Sequence, residues 1–314
     1  MAFPVVPGRP NYSGNFIPEI WSGKIIENFY DATVLAAISN TDYEGEIRKH
    51  GDTVNIRTVP DIRIRQYVKG QALKVDNPDS PKIQLLIDKG EYFACIEDDV
   101  DKVQADINLM DLWSKDASEQ MKLAIDRRVL PGIVPQVDPN NRGLTAGAKS
   151  HSFNLGVAGT PVVVSKAEGT PAGAVAVTDF IVDLGTVLDE ANVPESNRWL
   201  IVPAKFAGLI KKSELKDASL AGDDTSIMRN GRLGMIDRFT VYVSHNLLTT
   251  GTGAATEYNI LAGHKMGFTF ASQMTEMETI RAESTFGDII RGLQVYGYQV
   301  VKPEALALGV VKLA

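Results

Sequence analysis

The pattern of apolar and polar residues divides the first third of the chain into three parts. Residues 1–20 are rich in Pro, Gly, Asn and Tyr, which predicts an extended arm that needs a neighbouring surface to lie on. Over Trp21–Ile38 apolar residues recur close to helical spacing, and Ser39-Asn40 ends the pattern, so we predict one amphipathic helix, with a break near Asp31 as the alternative. Over Tyr43–Cys95 the apolar residues tend to alternate with polar ones, which indicates β-strands.

The alternation predicts strands at Val54–Arg57, Ile62–Lys69 and Ile83–Ile87, separated by turn-forming residues. In the middle strand, one face carries Arg63, Arg65 and Lys69, and the other carries Ile62, Ile64 and Val68. A hairpin built from these strands has too little of its own chain nearby to bury the apolar face. It is therefore predicted to be marginal in isolation.

One long helix is predicted after the strands. Apolar residues from Val100 to Ala124 recur at three- and four-residue steps, and Pro131-Gly132 is predicted to end the helix. About 33 residues at about 1.5 Å per residue span about 50 Å, so the helix would act as a strut across the molecule. The preceding acidic cluster lacks the glycine and the terminal Glu of a calcium loop, so we interpret it as favourable charge at the helix N-terminus. The cluster consists of Glu97, Asp98, Asp99 and Asp101.

The second half of the chain alternates between helices and strands, which predicts a compact α/β region followed by a final group of strands. Residues 131–177, with many Gly, Ala, Thr and Val, are predicted to form loops and short strands. Helices are predicted at Thr178–Ala191 and Ala204–Glu214, and strands at Arg198–Pro203, Phe239–Ser244, Asp288–Val301 and Leu306–Leu313, with a final region opening at Ile260–His264.

Composition limits the class of protein. With 314 residues the chain can form one large composite domain or two smaller ones. A net charge of −7 argues against a protein whose main task is binding nucleic acid. No apolar run reaches the roughly 20 residues of a spanning helix, and the prolines near the start argue against a signal peptide. The single Cys95 excludes a disulfide framework, so we expect a reducing cytoplasm.

Residues that could support catalysis or metal binding do not combine into a site. Cys95 is interpreted as a buried structural cysteine, because no neighbouring His or basic residue would activate its thiol. The four histidines, His50, His151, His245 and His264, are widely separated, and none has the paired spacing of metal ligands. No phosphate-binding loop and no nucleophile elbow occur. We therefore expect no enzyme activity, no metal and no cofactor.

A basic run is formed by Arg57, Arg63, Arg65 and Lys69. Two interpretations stay open: contact with nucleic acid, and pairing with acidic residues of a neighbouring subunit. The second is preferred, because only Tyr67 supplies an aromatic stacking surface.

Two groups of segments resemble coat-protein sequence. The first is Asn40–Gly45 leading into Gly51–Ile56, and the second is Phe286–Leu293 leading into Tyr296-Gly297 and Lys302–Leu306. Together with the order of elements over nearly the whole chain, they resemble the major capsid proteins of tailed bacteriophages, which have the Hong Kong 97-like fold. The Gly- and Ala-rich segment 140–177 departs from that pattern.

The resemblance implies an α+β subunit with an N-terminal arm, an extended β-hairpin loop, a long spine helix, a peripheral domain and an axial α/β domain. It divides this chain into the arm and its helix at 1–42, the β-loop at 43–95, the spine helix and peripheral domain with the Gly/Ala-rich segment at 96–177, the axial domain at 178–262, and return strands of the peripheral domain at 263–314.

The same resemblance implies a major capsid protein that self-assembles into hexamers and pentamers of an icosahedral shell, enclosing double-stranded DNA without sequence-specific binding. Its partners would be copies of itself, a portal protein, a scaffolding protein and, as an optional partner, a decoration protein, with no membrane. Its location would be the virion capsid, after assembly in the host bacterial cytoplasm. Two alternatives stay open: an encapsulin-like compartment subunit with protein cargo, and a soluble α/β enzyme.

Contacts between subunits are assigned by this resemblance to the arm and the loop, since a neighbouring copy can cover surface that these limbs cannot cover themselves. The predicted contact residues are Arg57, Ile62, Arg63, Ile64, Arg65, Tyr67, Val68 and Lys69 in the loop, and Phe3, Tyr12 and Phe16 in the arm.

Overall fold

The computed structural model describes residues 33–42, 53–57, 62–75, 82–100, 109–169, 171–213 and 234–314, which form a mixed α+β structure. The helices are α1 (Leu35–Ile38), α2 (Leu109–Ile133), α3 (Val177–Glu190) and α4 (Ala204–Lys212). The strands are β1 (Thr53–Arg57), β2 (Lys82–Leu86), β3 (Lys89–Asp98), β4 (Val162–Ser165), β5 (Val175–Ala176), β6 (Arg198–Val202), β7 (Met235–Ile236), β8 (Phe239–Val243), β9 (Thr249–Thr250), β10 (Glu257–His264), β11 (Phe268–Arg281), β12 (Gly287–Val300) and β13 (Leu306–Leu313).

The largest element is an eight-stranded sheet in the order β5-β4-β13-β10-β6-β8-β7, with β9 paired to β10. β10 runs antiparallel to both β13 and β6, whereas β6 and β8 are parallel, as are β13, β4 and β5. The Gly/Ala-rich segment therefore belongs to this sheet, because it supplies β4 and β5. Asn141 adds a second tie, since its side-chain amide donates to the carbonyl oxygens of Glu304 at 2.7 Å and Leu306 at 3.0 Å.

Both faces of the eight-stranded sheet are covered, and the period of two sorts its side chains between them. In β6, Leu200 and Val202 lie in the core that contains α3 and α4. Trp199 and Ile201 of the same strand lie in a second core, which contains α1 and the C-terminal half of α2. Because β6 has a helical layer on each side, all five of its residues are buried, and Trp199–Val202 form the continuous apolar run expected of such a strand.

A three-stranded antiparallel sheet in the order β11-β12-β3 lies beside the second core. The long helix α2 packs along β3 and β12 of this sheet. Phe268, Tyr296 and Val300 reach from its strands into the core that holds α1 and α2. The two sheets and the long helix thus share one apolar interior.

The antiparallel pair β1–β2 forms a two-stranded ribbon that crosses β12 at Gly297. A side chain at that position would meet the backbone of Leu86 and, at 2.8 Å, the Cδ1 atom of Ile87. Ile56, Leu85 and Ile87 pack with Ala271 in a small core below the ribbon. In the chain, the segment 62–75 lies between the two strands of this ribbon.

Gly297→Val is expected to destabilise the subunit by about 1–3 kcal/mol, the usual range for overpacking, because the ribbon must move away from β12. Gly208→Ala is a matched control in α4, where an added Cβ meets nothing within 4 Å. That control is expected to be neutral or to stabilise by about 0.5–1 kcal/mol. Thermal unfolding measures both, and a Gly297→Val protein as stable as Gly208→Ala would contradict the close crossing.

Most predicted elements are confirmed within two residues at each end. They are the strands β1, β2, β6, β8, β12 and β13 and the helices α3 and α4. Of the predicted helix Trp21–Ile38, residues 35–38 are helical, and residues 21–32 lie outside the described residues, as does the arm.

Two predictions about backbone structure are wrong. The segment Ile62–Lys69 is not a strand, because no partner strand pairs with it among the described residues, and alternation alone supplies no ladder. Pro131 does not end the long helix, which continues to the buried Ile133. Proline removes only one N–H bond in this last turn, and burial of Ile133 favours the helical continuation.

Candidate assembly surfaces

The segment 62–75 is exposed at every residue, although it carries six large apolar side chains. Ile64 is 92% exposed and Val75 is 93% exposed. The other four are Ile62, Tyr67, Val68 and Leu73. Exposed apolar residues are ordinary when scattered, but a run of this kind on one projecting segment indicates a contact surface.

The segment turns back on itself at its tip. Gly70 has φ +87°, and the Gln71 N–H donates to the Val68 carbonyl at 3.1 Å. Behind the turn, the Arg65 guanidinium donates to the Lys74 carbonyl oxygen at 3.0 Å. These bonds define a projecting loop, called here the 62–75 loop. Its predicted contact residues are thereby brought together on one limb.

The basic residues predicted for contact lie on the same limb. Arg63, Arg65 and Lys69 are exposed in the loop, and Arg57 is exposed at the end of β1, where the ribbon meets it. Tyr67 is the aromatic residue among them. The loop therefore combines apolar and positively charged side chains, both facing solvent in the single subunit.

A groove lies between the long helix and β3, with a volume of about 530 Å³. Its walls include Trp113 and Met121 from the helix and Phe93 and Cys95 from the strand, and Glu91 and Asp116 add acidic character. Glu91 pairs with Arg128 at 2.9 Å. Cys95 is half-buried here, so the prediction of a buried cysteine is wrong. The groove keeps the neighbouring helix from covering the thiol fully.

The opposite face of the three-stranded sheet carries a second exposed apolar surface. Tyr92, which is 79% exposed, lies beside Leu293 across the strands, and Ile96 lies beside Ile289. Arg291 and Glu278 form an ion pair between these apolar rows, with nitrogen and oxygen 2.5 Å apart. No helix covers this face in the described part of the chain.

The β11–β12 hairpin carries Phe286, which is 81% exposed. Arg281, the last residue of β11 before the turn, donates to Asp99 at 2.7 Å and to Asp288 at 3.1 Å, which fixes the turn end of the hairpin. The side-chain hydrogen bonds with Asp99 and then Asp288 raise the pKa of the Arg281 guanidinium. The exposed aromatic ring is therefore presented on a well-tied hairpin.

The acidic cluster divides between two roles. Residues 99 and 100 are helical, and the Asp98 carboxylate accepts from the Val100 N–H at 3.0 Å, as a capping residue does. Asp99 forms an ion pair with Arg281, and Asp101 lies outside the described residues. Glu97, by contrast, is buried in β3. The interpretation of charge at a helix start is thus supported for Asp98 and Asp99 and is wrong for Glu97, because the strand extends further than predicted.

A buried arginine holds the α/β core together at the end of α3. The Arg198 guanidinium donates to Asp189 at 2.7 Å and to the carbonyl oxygens of Val193 at 2.6 Å, Pro194 at 2.9 Å and Gly185 at 3.3 Å. Burial raises the pKa of the Asp189 carboxyl, but hydrogen bonds from Arg198 and Arg238 outweigh it, so the pKa is lowered overall. This network is structural and lies inside the subunit.

Within the described residues, no three His, Cys, Asp or Glu side chains are grouped closely enough to hold a metal ion. None of the helices there combines the length and the apolar character needed to cross a membrane. His264 is buried, and its Nδ1 accepts from the Met266 N–H at 3.2 Å, so it has a structural role. His50 lies outside the described residues.

Sequence reasoning missed the surfaces on the three-stranded sheet. The alternation of Tyr92, Ala94 and Ile96 can be seen in the sequence. Which face of the sheet is covered depends on α2, however, and the strand sequence does not report where that helix packs. Phe286 carried no periodic signal at all. Together, the loop, the open sheet face and the hairpin leave a large apolar surface exposed in the single subunit, which is typical of a protein that assembles with other chains.

Comparison with known proteins agrees with this class. The model of the family "Phage capsid protein" matches residues 84–312, well over half of the chain. A solved structure from Mycobacterium phage Che8 is similar over 94% of this chain and 97% of its own, with 27% identity and a TM-score of 0.74. The capsid structure of the cyanophage P-SCSP1u is similar over 95% and 93%, with 15% identity and a TM-score of 0.69. The mature capsid of bacteriophage PhiM1 is similar over 95% and 92%, with 16% identity and a TM-score of 0.64. No curated protein sequence matches significantly.

The chain belongs to the phage capsid protein family. It is a major capsid protein, a structural subunit of the virion shell rather than an enzyme, and it self-assembles into a multimeric shell. The prediction of a capsid subunit is confirmed, and so is the mixed α+β class. The soluble α/β enzyme is no longer an alternative.

Proposed function

We propose that this capsid protein forms hexamers and pentamers of an icosahedral shell that encloses the double-stranded DNA of a tailed phage. The observation that carries the proposal is the 62–75 loop, which exposes six large apolar side chains on a limb that its own subunit does not cover. A neighbouring copy that covers the loop removes this surface from water, at about 25 cal/mol per Å² of apolar area.

Closure of the shell multiplies these contacts. Each subunit would give its loop to one neighbour and receive the loop of another, so that individually modest contacts become multivalent. The predicted contact residues are Arg57, Ile62, Arg63, Ile64, Arg65, Tyr67, Val68 and Lys69 in the loop, and Phe3, Tyr12 and Phe16 in the arm. The basic residues of the loop would pair with acidic residues of the neighbour rather than with nucleic acid.

The Hong Kong 97-like division of the chain is part of the proposal. The 62–75 loop on its ribbon corresponds to the extended loop, the long helix to the spine, the three-stranded sheet to the peripheral domain, and the eight-stranded sheet to the axial domain. The final strand β13 lies in the eight-stranded sheet, beside β10 and β4. The segment 263–314 would therefore serve both domains.

The enclosed DNA would be held without sequence-specific contacts. A net charge of −7 supports this, since strong phosphate binding needs an excess of Lys and Arg on the binding surface. A portal protein, a scaffolding protein and, optionally, a decoration protein would join the shell during assembly in the bacterial cytoplasm. These partners are proposed from membership of the family.

Negative-stain electron microscopy of the overexpressed chain, with a nucleic-acid assay on purified particles, tests the proposal. We expect closed particles with five-fold vertices, which in the complete phage contain double-stranded DNA. Particles from the native source that contain protein cargo and no DNA would instead establish an encapsulin-like compartment. A chain that stays monomeric at all concentrations would overturn the proposal of hexamers and pentamers.

A further inference from the structure

Asp126 joins two parts of the chain that are far apart in sequence. It lies in the C-terminal half of the long helix and is only 2% exposed. Its Oδ2 atom accepts a hydrogen bond from the Val34 N–H at 2.8 Å, and the backbone of Leu35 also bonds to it. The carboxyl therefore caps the start of α1 from a distance of 92 residues along the chain.

The segment held in this way is also packed into the second core. Val34, Leu35 and Ile38 pack against Ile125 and Val129 of the long helix. Beyond α1, Asn40 exchanges backbone hydrogen bonds with β11, at 2.9 Å to Phe268 and 3.1 Å from Phe270. The segment 33–38 is thus docked by three buried apolar side chains, by the backbone bonds of the adjacent Asn40 and by one buried carboxyl.

Burial dominates the electrostatics of this carboxyl. Removal from water raises the pKa of Asp126 to about 6, against the opposing effect of the hydrogen bonds from Val34 and Leu35. The charged neighbours on the same helix are engaged elsewhere, because Lys122 pairs with Glu119 and Arg128 pairs with Glu91. Arg127 donates to Asn246 at 3.0 Å. From β12, the Tyr296 hydroxyl lies 3.5 Å from Glu91 rather than against Asp126.

We infer that Asp126 is a proton-operated latch, which holds residues 33–38 against the long helix more firmly when its carboxyl is protonated and less firmly when it is ionised. The latch stands on the contacts of the single subunit. Its use in a shell rests on the proposed function, because residues 33–38 connect the predicted arm to the body.

The direction follows from linkage. When the segment undocks, the carboxyl reaches water and returns towards its ordinary pKa of 3.8, whereas in the docked state its pKa is about 6. Docking is therefore fully favoured below about pH 4 and weakens as pH rises through about 6. The undocking constant is expected to rise by a factor of about 100 across this window, because about two pKa units separate the two states.

Hydrogen exchange of the full-length chain tests the latch directly. After correction for the intrinsic pH dependence of exchange, opening of the 33–42 backbone amides should increase by about 10- to 100-fold from pH 4 to about 6.5. Asp126→Asn keeps an acceptor oxygen for Val34 but cannot ionise, so its opening should not vary with pH. Asp183→Asn is the matched control, since burial and then Asp179 raise the pKa of Asp183 in α3. This control should keep the wild-type pH response at residues 33–42.

A wild-type opening constant that stays flat across this window would overturn the latch, as would an Asp126→Asn protein that keeps the wild-type response. If Asp126→Asn does not fold, NMR titration of the Asp126 carboxyl in the wild-type chain decides, and a pKa near 3.8 would reject the inference. These measurements are made on the folded subunit. A failure of the latch is therefore distinguishable from a failure to build shells.

Discussion

Replacing Ile62, Ile64, Tyr67 and Val68 together by serine is expected to abolish shell assembly and leave a folded subunit. All four side chains are exposed in the single subunit, so their loss should change the free energy of unfolding by no more than about 0.5 kcal/mol per site. In the shell, each buried side chain of this size contributes about 1.5–3 kcal/mol. The variant thus loses several kcal/mol per contact, repeated around the whole particle.

Sedimentation velocity and electron microscopy measure the outcome, and circular dichroism verifies the fold. A matched control replaces four exposed apolar residues elsewhere by serine, at Leu144, Val182, Met235 and Met266. It removes the same number of exposed apolar side chains without touching the loop and should still form particles. Wild-type particles from the loop variant would show that the 62–75 loop does not carry assembly.

Arg198→Met is expected to destabilise the subunit by about 3 kcal/mol or more, because each buried acceptor that loses its donor costs about 1–3 kcal/mol. The guanidinium is fully buried, and its loss leaves three carbonyl oxygens and one oxygen of Asp189 without their donor. The pKa of the Asp189 carboxyl should rise at the same time, because Arg198 is the first of the groups that lower it.

Arg238→Met provides the comparison for Arg198→Met. This substitution removes a second partner of Asp189, at 2.9 Å. Because the Arg238 side chain is partly exposed, the free energy of unfolding is expected to fall by less than about 1 kcal/mol. Urea unfolding in the background of the loop variant measures both without interference from assembly. Equal decreases in the free energy of unfolding for Arg198→Met and Arg238→Met would contradict the argument that burial makes Arg198 the more important partner.

Elements with a local signal were predictable from the sequence. The apolar stripe of α3 and the continuous apolar run of β6 define their own structure, and both were found within two residues. β11 was missed, because Phe268–Arg281 mixes polar and apolar residues and is held as a strand by pairing with β12. The opposite error occurred at Ile62–Lys69. Apolar and polar residues alternate there as in a strand, but no partner strand pairs with them in the described residues.

The candidate surfaces were predictable only in part. The 62–75 loop was found because its residues alternate between basic and apolar types close together in sequence. The groove and the open sheet face depend on where α2 packs, which no local pattern reports. The bond from Val34 to Asp126 joins residues 92 positions apart, and only the folded chain brings them together.

The position of β13 has a consequence for how the subunit is made. This strand lies between β10 and β4, so the eight-stranded sheet stays open until residue 306 and those beyond it have left the ribosome. The 62–75 loop leaves the ribosome on the order of 230 residues before β13 does, at a time when the sheet still has unpaired edges. On the proposed function, each nascent chain would therefore expose the 62–75 loop to other copies before its eight-stranded sheet is complete.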